Sequence, residues 1–194
     1  MSRRPDNDPS RSIPRGNHTV DDLFVPDLPS HTQLLDGQLV FPVPQSVFHS
    51  VALFLLESRL HLSVPAELRV RRQMVVVLGP YDAPEPDAVV IKATARSGPN
   101  QDRYRAADVV LAIEVVSPES ESRDRDTKPR KYAAAGIPHF WLVEMDPRSK
   151  QPVVHTFARD ERTGAYVAAG TFRDRLKTAE PFEVDIDLSG FDRM

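Results

Sequence analysis

Short apolar segments with the spacing of β-strands dominate the middle of the chain. Between residues 67 and 78, apolar and polar residues alternate, which is the pattern of a strand with one buried face. Residues 87–91 form a second such segment after a proline-containing loop. Residues 109–116 are apolar apart from Glu114, and a run without alternation predicts a central strand that is covered on both faces.

Two further segments follow a helical pattern. Residues 47–62 are predicted to form a helix capped by Ser46. The side chains expected on its buried face are Val47, Val51, Phe54, Leu55 and Leu62. A second helix precedes Gly136, because a glycine that is followed by an apolar residue and then Pro138 is a strong stop signal. Residues 139–143 return to the strand pattern, so we expect a strand–helix–strand unit.

Turn residues predict hairpins near both ends of this region. Asp36 and Gly37 lie between apolar residues and are typical of a two-residue hairpin turn. Residues 153–158 and 165–169 form a second candidate pair of strands, whereas the polar stretch 93–106 is expected to be an exposed loop. The order of elements predicts an α/β (α+β) domain, in which helices flank a mixed β-sheet with extra N-terminal and C-terminal hairpins.

Composition narrows the class of protein further. The chain has 194 residues, no cysteine and a formal net charge of −3. The lack of cysteine excludes a disulfide scaffold, thiolate zinc sites and a cysteine nucleophile. The charge argues against coating of nucleic acid by bulk positive charge, although a local basic patch remains open. The longest apolar run, residues 51–56, is far shorter than the ~18 residues that span a bilayer, so we expect a cytoplasmic protein without membrane contact.

The N-terminal residues differ from the rest of the chain. Residues 1–18 contain two apolar residues, Met1 and Ile13, among prolines and charged residues. Such a segment cannot bury enough surface to offset the entropy of ordering it. We therefore expect a disordered tail over residues 1–18 and a single domain over residues 19–194.

Two carboxylates are the first candidates for chemistry. Glu114 interrupts the most apolar run, where an unpaired carboxylate would cost several kcal/mol. It therefore needs a metal ion or a partner such as a buried arginine, and as a metal ligand it would carry a poorly compensated charge without its ion. Asp87 starts a neighbouring strand. Carboxylates at adjacent strand ends can converge on one Mg²⁺, which usually takes one or two carboxylates and several waters.

A basic segment provides a third candidate. Asp124, Lys128 and Tyr132 follow one another at intervals of four residues, so a continuous helix would place them on one face. Pro129 complicates this arrangement, because proline is tolerated only in the first turn of a helix. The helix must therefore begin near Asp126 or be kinked there. The cationic residues of this segment suit a polyanionic ligand.

At this point the motifs resemble a known family. The blocks that carry the resemblance are Pro86–Asp87, Glu114–Val115–Val116–Ser117–Pro118, the Asp124, Lys128 and Tyr132 spacing, and residues 135–143. In this order they resemble the Uma-type family of restriction endonucleases, which belongs to the restriction-endonuclease-like PD-(D/E)xK superfamily. The resemblance extends over roughly residues 20–190, essentially the whole expected domain.

The resemblance implies a phosphodiesterase site that depends on Mg²⁺, with Mn²⁺ as an alternative. Asp87 and Glu114 would be the metal ligands, together with the backbone carbonyl of Val115. The lysine of the superfamily usually stands two positions after the second acid, where this chain has Val116. In the Uma-type family it has moved to the following helix, which makes Lys128 its counterpart and, with Asp87 and Glu114, the third catalytic residue.

Other positions are weaker candidates. Asp124 and Tyr132 would support the site from behind the catalytic residues, although a helix-capping aspartate and a packed tyrosine are equally good interpretations. His49 could contact substrate, but a histidine on the surface or satisfied within the core is the better interpretation. Gln33 and Gln38 stand where relatives often have glutamate, which puts an extra acidic ligand from the first hairpin in doubt.

These observations lead to one hypothesis and one alternative. The hypothesis is a metal-dependent endonuclease that hydrolyses DNA phosphodiester bonds, with a homodimer as one way of cutting both strands. The alternative is a nuclease-fold protein that binds nucleic acid or protein partners without cleaving.

Overall fold

A mixed six-stranded β-sheet forms the centre of the protein in the computed structural model, which describes residues 16–189 and residue 191. In chain order the strands are β1 (Gln33–Leu35), β2 (Gln38–Val40), β3 (Leu68–Arg72), β4 (Val75–Val77), β5 (Ala88–Lys92), β6 (Arg103–Arg105), β7 (Val109–Val115), β8 (His139–Met145), β9 (Pro152–Arg159), β10 (Tyr166–Phe172), β11 (Arg175–Thr178) and β12 (Val184–Asp187). The α-helices are α1 (Val47–Ser63) and α2 (Lys128–Ala134). The shorter helical turns are the 3₁₀ segments Val20–Phe24, Ala93–Ala95 and Ala106–Asp108 and the π-helical segment Arg123–Thr127.

The central sheet has the strand order β10-β9-β8-β7-β5-β3. Strands β7 and β8 are parallel and are joined through α2, whereas the other neighbouring strands are antiparallel. The continuous apolar run becomes β7, which lies inside the sheet and is buried along almost its whole length. The predicted α+β class, the central strand and the strand–helix–strand unit are therefore confirmed. The extra N-terminal hairpin is β1–β2, as predicted. The predicted C-terminal hairpin is not an extra one, because its two segments are β9 and β10 of the central sheet. The hairpin outside the sheet at this end is β11–β12, which was not predicted.

The two faces of the sheet carry separate apolar clusters. On one face, α1 and the β11–β12 hairpin pack against β7 through residues that include Leu56, Ile113 and Ile186. On the other face, Ala112 of β7 belongs to a cluster with Tyr132 of α2 and Val76 of β4. Since successive side chains of a strand point to opposite faces, Glu114 falls on the same face as Ala112. The fold thus directs Glu114 toward α2.

The predicted buried face of α1 is wrong at three of its five residues, while Leu55 is buried and Val51 is half-buried as part of that face. Val47, Phe54 and Leu62 are all exposed, whereas the buried side chains are His49, Ala52, Leu53, Leu55, Leu56 and Leu60. Large apolar residues occur around most of the circumference of this helix, so periodicity does not identify one face. The cap is as predicted, because Ser46 accepts a hydrogen bond from the backbone N–H of His49. Because the buried face of α1 differs from the predicted one, the His49 side chain is buried.

Two strand boundaries also differ from the prediction. Residues 67–78 form two strands, because Gln73 adopts a φ of 48° and breaks the strand. β3 stays in the central sheet, while β4 pairs in parallel with β6. Since β6 lies within residues 93–106, the expected loop contains a short strand. The break at Gln73 and the short strand β6 both depend on pairing between segments that are distant in sequence. A local sequence pattern does not predict such pairing.

The first hairpin is as predicted and extends its contacts toward the N-terminus. Asp36 and Gly37 have φ values of 51° and 71°, as a two-residue turn between twisted strands requires. The N–H groups of Gly16 and His18 donate to the carbonyls of Asp36 and Gly37 at 2.7 and 3.1 Å. Residues 16 and 18, which were expected to belong to the tail, therefore form hydrogen bonds with the domain. The rest of the expected tail, residues 1–15, lies outside the described residues. Within the described chain, no helix is both long and apolar enough to cross a membrane.

Candidate active site

Asp87 and Glu114 meet where β5 begins and β7 ends. The two strands are antiparallel, and Ala88 pairs with Ile113, so the residue before β5 lies beside the end of β7. The backbone N–H of Val115 donates to Asp87 Oδ2 at 2.7 Å. The convergence of two carboxylates at neighbouring strand ends, which we predicted from the sequence, is therefore present in the fold.

Glu114 is buried and both of its oxygens accept hydrogen bonds. Lys128 Nζ donates to Oε2 at 2.9 Å, and the Tyr132 hydroxyl donates to Oε1 at 2.5 Å. Burial raises the pKa of the Glu114 carboxyl group well above its usual value, and the attraction of Lys128 offsets only part of this effect. Glu114 therefore has a cationic partner, but that partner is a lysine and not the buried arginine considered above. Without a metal ion its charge is thus compensated only in part, and the raised pKa agrees with the sequence-based expectation for a carboxylate in a dry strand.

Lys128 connects two buried carboxylates. In addition to Glu114, it lies 3.1 Å from Asp124 Oδ1. Burial alone would lower the pKa of Lys128, but the nearby carboxylates, Glu114 foremost, outweigh it and the net pKa is raised. Lys128 therefore keeps its positive charge at neutral pH. Tyr132, whose pKa is raised by burial and by the Glu114 carboxylate, stays neutral and acts as a hydrogen-bond donor.

A π-helical segment solves the problem that Pro129 posed. The backbone N–H of Lys128 donates to the carbonyl of Arg123, five residues earlier, and α2 then begins at Lys128. Pro129 therefore lies in the first turn of α2, directly after the wide turn. Such wide turns are rare and often occur at functional sites. The same turn leaves Asp124 and Lys128 in contact.

His49 completes the contacts of Asp87. Its Nε2 lies 2.9 Å from Asp87 Oδ1, and its side chain is almost fully buried on α1. His49 is thus a buried histidine with a hydrogen-bonding partner, which was the preferred interpretation from the sequence. That partner, Asp87, is a candidate catalytic residue. The inward face of α1, which periodicity failed to identify, is what brings His49 to Asp87.

A small cavity of about 60 Å³ lies against this cluster. The candidate residues that line it are His49, Asp87, Glu114, Val115, Asp124 and Lys128. Tyr132 does not line the cavity and contacts the site through Glu114 alone. Arg123 and Ser120 add polar groups to the lining on the α2 side. The structure thus brings six of the seven predicted residues to one cavity.

Two lining residues were missed from the sequence, His31 and Glu85. His31 Nδ1 lies 2.5 Å from Glu85 Oε1, and the backbone N–H of Glu85 donates to Gln33 Oε1 at 3.2 Å. Burial raises the pKa of Glu85, and the hydrogen bond from His31 only partly offsets this. Glu85 precedes the Pro86–Asp87 pair directly, which was an available signal. No comparable sequence signal identified His31, because 54 residues separate it from Glu85.

The donor set fits a hard divalent cation. Among residues 16–189, no three histidine, aspartate or glutamate side chains are grouped so that they could hold a metal ion by themselves. Mg²⁺ usually needs only one or two carboxylates, with waters and substrate oxygens as the other ligands. Asp87 and Glu114 face one cavity, and each carboxylate oxygen retains a lone pair beyond its present hydrogen bond. These two side chains and the Val115 carbonyl could hold such an ion.

Comparison with known proteins adds a family and a fold. The family model described as "Uma2: Putative restriction endonuclease" matches residues 25–189. Among solved structures, the chain is similar to the crystal structure of "a putative nuclease belonging to DUF820" from Anabaena variabilis, with a TM-score of 0.67 and 17% sequence identity. This similarity covers 89% of the present chain and 96% of the other, and at such low identity it establishes a shared fold. No curated protein matches the chain.

Proposed function

Because the chain belongs to the Uma2 family of restriction endonucleases, we propose that it is a metal-dependent endonuclease that hydrolyses DNA phosphodiester bonds. The observation that carries this proposal is the cavity that Asp87, Glu114 and Lys128 share. Hydrolysis of a phosphodiester requires a nucleophilic water and groups that stabilise the charge developing on the phosphate. The lining of this cavity offers residue types suited to both tasks.

Asp87 and Glu114, with the Val115 carbonyl, would hold Mg²⁺ or Mn²⁺. When bound, the ion would act as a Lewis acid on the phosphate and lower the pKa of a bound water. The residues themselves supply orientation. His49 and the Val115 N–H hold the two oxygens of Asp87, while Tyr132 and Lys128 hold those of Glu114. Carboxylates fixed in this way need little rearrangement to bind a cation.

Lys128 has an electrostatic role in this proposal. Its raised pKa keeps the ammonium group charged, so it is a poor acceptor for the proton of the attacking water. A fixed positive charge beside the scissile phosphate would stabilise the charge that develops there in the transition state. Asp124 helps to hold the ammonium group in place through their 3.1 Å contact. Arg123, which also lines the cavity, adds a second cation for the DNA backbone.

One observation favours the alternative of a nuclease-fold protein that binds nucleic acid or protein without cleaving. The oxygens of Asp87 and Glu114 already have partners within the chain, so the cluster is satisfied as a structural network. A network of this kind would persist in a protein that had no use for a metal ion. The cytoplasmic location and the homodimer remain predictions.

Cleavage of supercoiled plasmid by the purified protein tests the proposed function. We expect nicked and linear DNA with Mg²⁺ or Mn²⁺ and none with EDTA. Asp87→Asn should abolish cleavage, because an amide is a weaker ligand for a hard cation. Asp82→Asn is the matched control, since Asp82 is a partly buried aspartate that binds Lys131 instead of lining the cavity. Intact plasmid under every metal condition, with the protein folded and binding DNA, would support the alternative.

A further inference from the structure

A histidine–glutamate pair lines the same cavity, and the roles assigned above do not use it. The Glu85 carboxylate is 8% exposed, whereas the His31 side chain is 51% exposed. His31 Nδ1 lies 2.5 Å from Glu85 Oε1, and both residues belong to the cavity lining. A carboxylate that accepts the Nδ1 proton fixes the imidazole ring and leaves Nε2 as its free functional atom.

His31 lies in a tight turn. Its φ of 64° is in the left-handed region, which histidine, asparagine and aspartate adopt more often than other non-glycine residues. The neighbouring Thr32 is buried, and its hydroxyl donates to the Pro29 carbonyl, which keeps this turn closed. The backbone that carries the His31 side chain is therefore held in a defined conformation.

Three other nitrogen-bearing side chains of the cavity, Lys128, His49 and Arg123, are less suited to give up a proton. The ammonium group of Lys128 is held between the Glu114 and Asp124 carboxylates at 2.9 and 3.1 Å. His49 is buried with its Nε2 against Asp87. Arginine does not release its proton in proteins. The His31 imidazole, by contrast, is half-exposed, so both solvent and a substrate in the cavity can reach it.

We propose that His31, oriented by Glu85, is the general acid that protonates the departing oxygen of the DNA strand. The inference rests on the proposed nuclease function and adds a catalytic residue to it. Displacement at phosphorus places the attacking and leaving oxygens roughly in line, so the proton donor must be distinct from the groups that orient the water. Both residues line the cavity, but Lys128 is 4% exposed and His31 is 51% exposed, so His31 is the more accessible of the two.

The step balances as a hydrolysis. The water oxygen forms a bond to phosphorus, and the bond between phosphorus and the departing sugar oxygen breaks. The electron pair of that bond stays on the sugar oxygen, which takes the proton from imidazolium Nε2. The attacking water loses one proton to solvent, and solvent returns a proton to His31. The products are one terminal phosphate and one terminal hydroxyl.

A substrate with a leaving group that needs no proton separates this role from others. The parent and His31→Asn are compared on duplex DNA and on the p-nitrophenyl ester of thymidine 5′-phosphate, both with Mn²⁺. Asparagine tolerates the left-handed backbone but cannot transfer a proton at neutral pH. We expect His31→Asn to slow DNA cleavage about 100-fold or more, within the range of general acid catalysis, and to leave ester cleavage within about threefold of the parent.

His155→Asn is the matched control. His155 Nε2 lies 3.0 Å from Glu144 Oε1, so it is also a histidine paired with a glutamate, but it does not line the cavity. We expect this variant to cleave both substrates at the parental rate. Glu85→Gln should slow DNA more than the ester, by less than His31→Asn, because it weakens the orientation of the ring without removing it.

Each outcome decides the proposal. Equal slowing of both substrates by His31→Asn, or parental cleavage of DNA, would contradict the acid role while leaving the nuclease function intact. If the parent cleaves DNA but not the ester, free imidazole added to His31→Gly decides instead: recovery of DNA cleavage supports the role, and no recovery overturns it. A parent that cleaves neither substrate would overturn the proposed function, and this role with it.

Discussion

Two lysines of α2, three residues apart, have nearly the same bonding and different surroundings. Lys128 bridges two carboxylates beside the cavity, and Lys131 bridges two others, Asp36 and Asp82, at 2.7 and 2.8 Å. The pKa of Lys131 is raised as well, because hydrogen bonds to its two aspartates outweigh its partial burial. By charge and contacts alone, the two side chains are equivalent.

Burial and the cavity separate them. Lys128 is 4% exposed and lines the cavity, whereas Lys131 is 18% exposed and ties the β1–β2 turn to α2. A lysine between two acids is therefore no evidence of function, since the same arrangement serves as a structural clamp one turn away. The comparison teaches that two features together make a paired lysine a candidate catalytic residue. The ion pair must be buried, and the lysine must also line a cavity.

The largest difference in stability is expected between Lys128→Met and Lys131→Met. Methionine keeps most of the side-chain length and removes the charge. At position 128 this leaves two buried carboxylates without their cation, which should cost about 3–5 kcal/mol of unfolding free energy. At position 131 the partners are partly hydrated, and the loss should be about 1 kcal/mol or less. Urea denaturation of both variants at pH 7 measures the difference, and similar losses would remove the basis of the comparison.

Glu114→Gln should give an intermediate loss in EDTA. Glutamine can still accept a hydrogen bond from Tyr132, and Asp124 still faces Lys128, so only the charged bond to Glu114 is lost. We expect a decrease of about 1.5–3 kcal/mol in unfolding free energy. Melting curves in EDTA and in excess Mg²⁺ compare the variant with the parent. A metal-free variant as stable as the parent would show that Lys128 does not compensate Glu114.

Alkaline pH should weaken the Lys128 side of α2 through two groups. Lys128 and Tyr132 have raised pKa values, compared with 10.5 and 10.0 for free side chains. Above about pH 10 the folded state keeps protons that the unfolded state releases, so stability is full below that pH and falls as pH rises. Each group contributes a slope of about 1.4 kcal/mol per pH unit.

Tyr132→Phe tests this pH dependence. The variant should lose one such group, and its stability should fall less steeply than that of the parent between pH 10 and 11. Urea denaturation at closely spaced pH values gives both slopes. Identical slopes for parent and variant would show that Tyr132 does not stay protonated in the folded protein.

The smallest effect is expected at Asp36. Its side chain is 42% exposed, and Lys131 keeps Asp82 as a partner when Asp36 is changed to asparagine. Exposed ion pairs contribute about 0–1 kcal/mol, so Asp36→Asn should lie near the parent in thermal denaturation. Asp124→Asn, which removes a buried partner of Lys128, should be clearly less stable. The reverse order of the two melting temperatures would contradict the role of burial.

Local patterns were enough to predict most strands of the central sheet and most residues of the candidate site. The run that became β7, the hairpin at Asp36–Gly37 and the stop at Gly136 each rest on the chemistry of a few adjacent residues. Glu114 was identifiable because a carboxylate in an apolar strand needs a partner. Lys128 was a candidate from its spacing with Asp124 and Tyr132, whereas its role as the third catalytic residue came from the family resemblance.

What could not be predicted depends on contacts between distant segments. The break at Gln73 follows from the pairing of β4 with β6, and the inward turn of His49 follows from which face of α1 meets the sheet. His31 and Glu85 are far apart in sequence and meet only in the folded chain. Such contacts do not produce a periodic pattern of apolar residues in the sequence, because each segment is locally compatible with several environments.

The rate of DNA cleavage by Lys128→Met and Lys131→Met, measured side by side with Mg²⁺ at a temperature where both are folded, tests the central claim most directly. The account predicts that loss of the Lys128 charge slows cleavage about 100- to 1,000-fold, the usual effect of removing one preorganised charge-stabilising group. It also predicts that Lys131→Met cleaves at nearly the parental rate. Equal rates for the two variants would contradict the assignment of Lys128 to the active site.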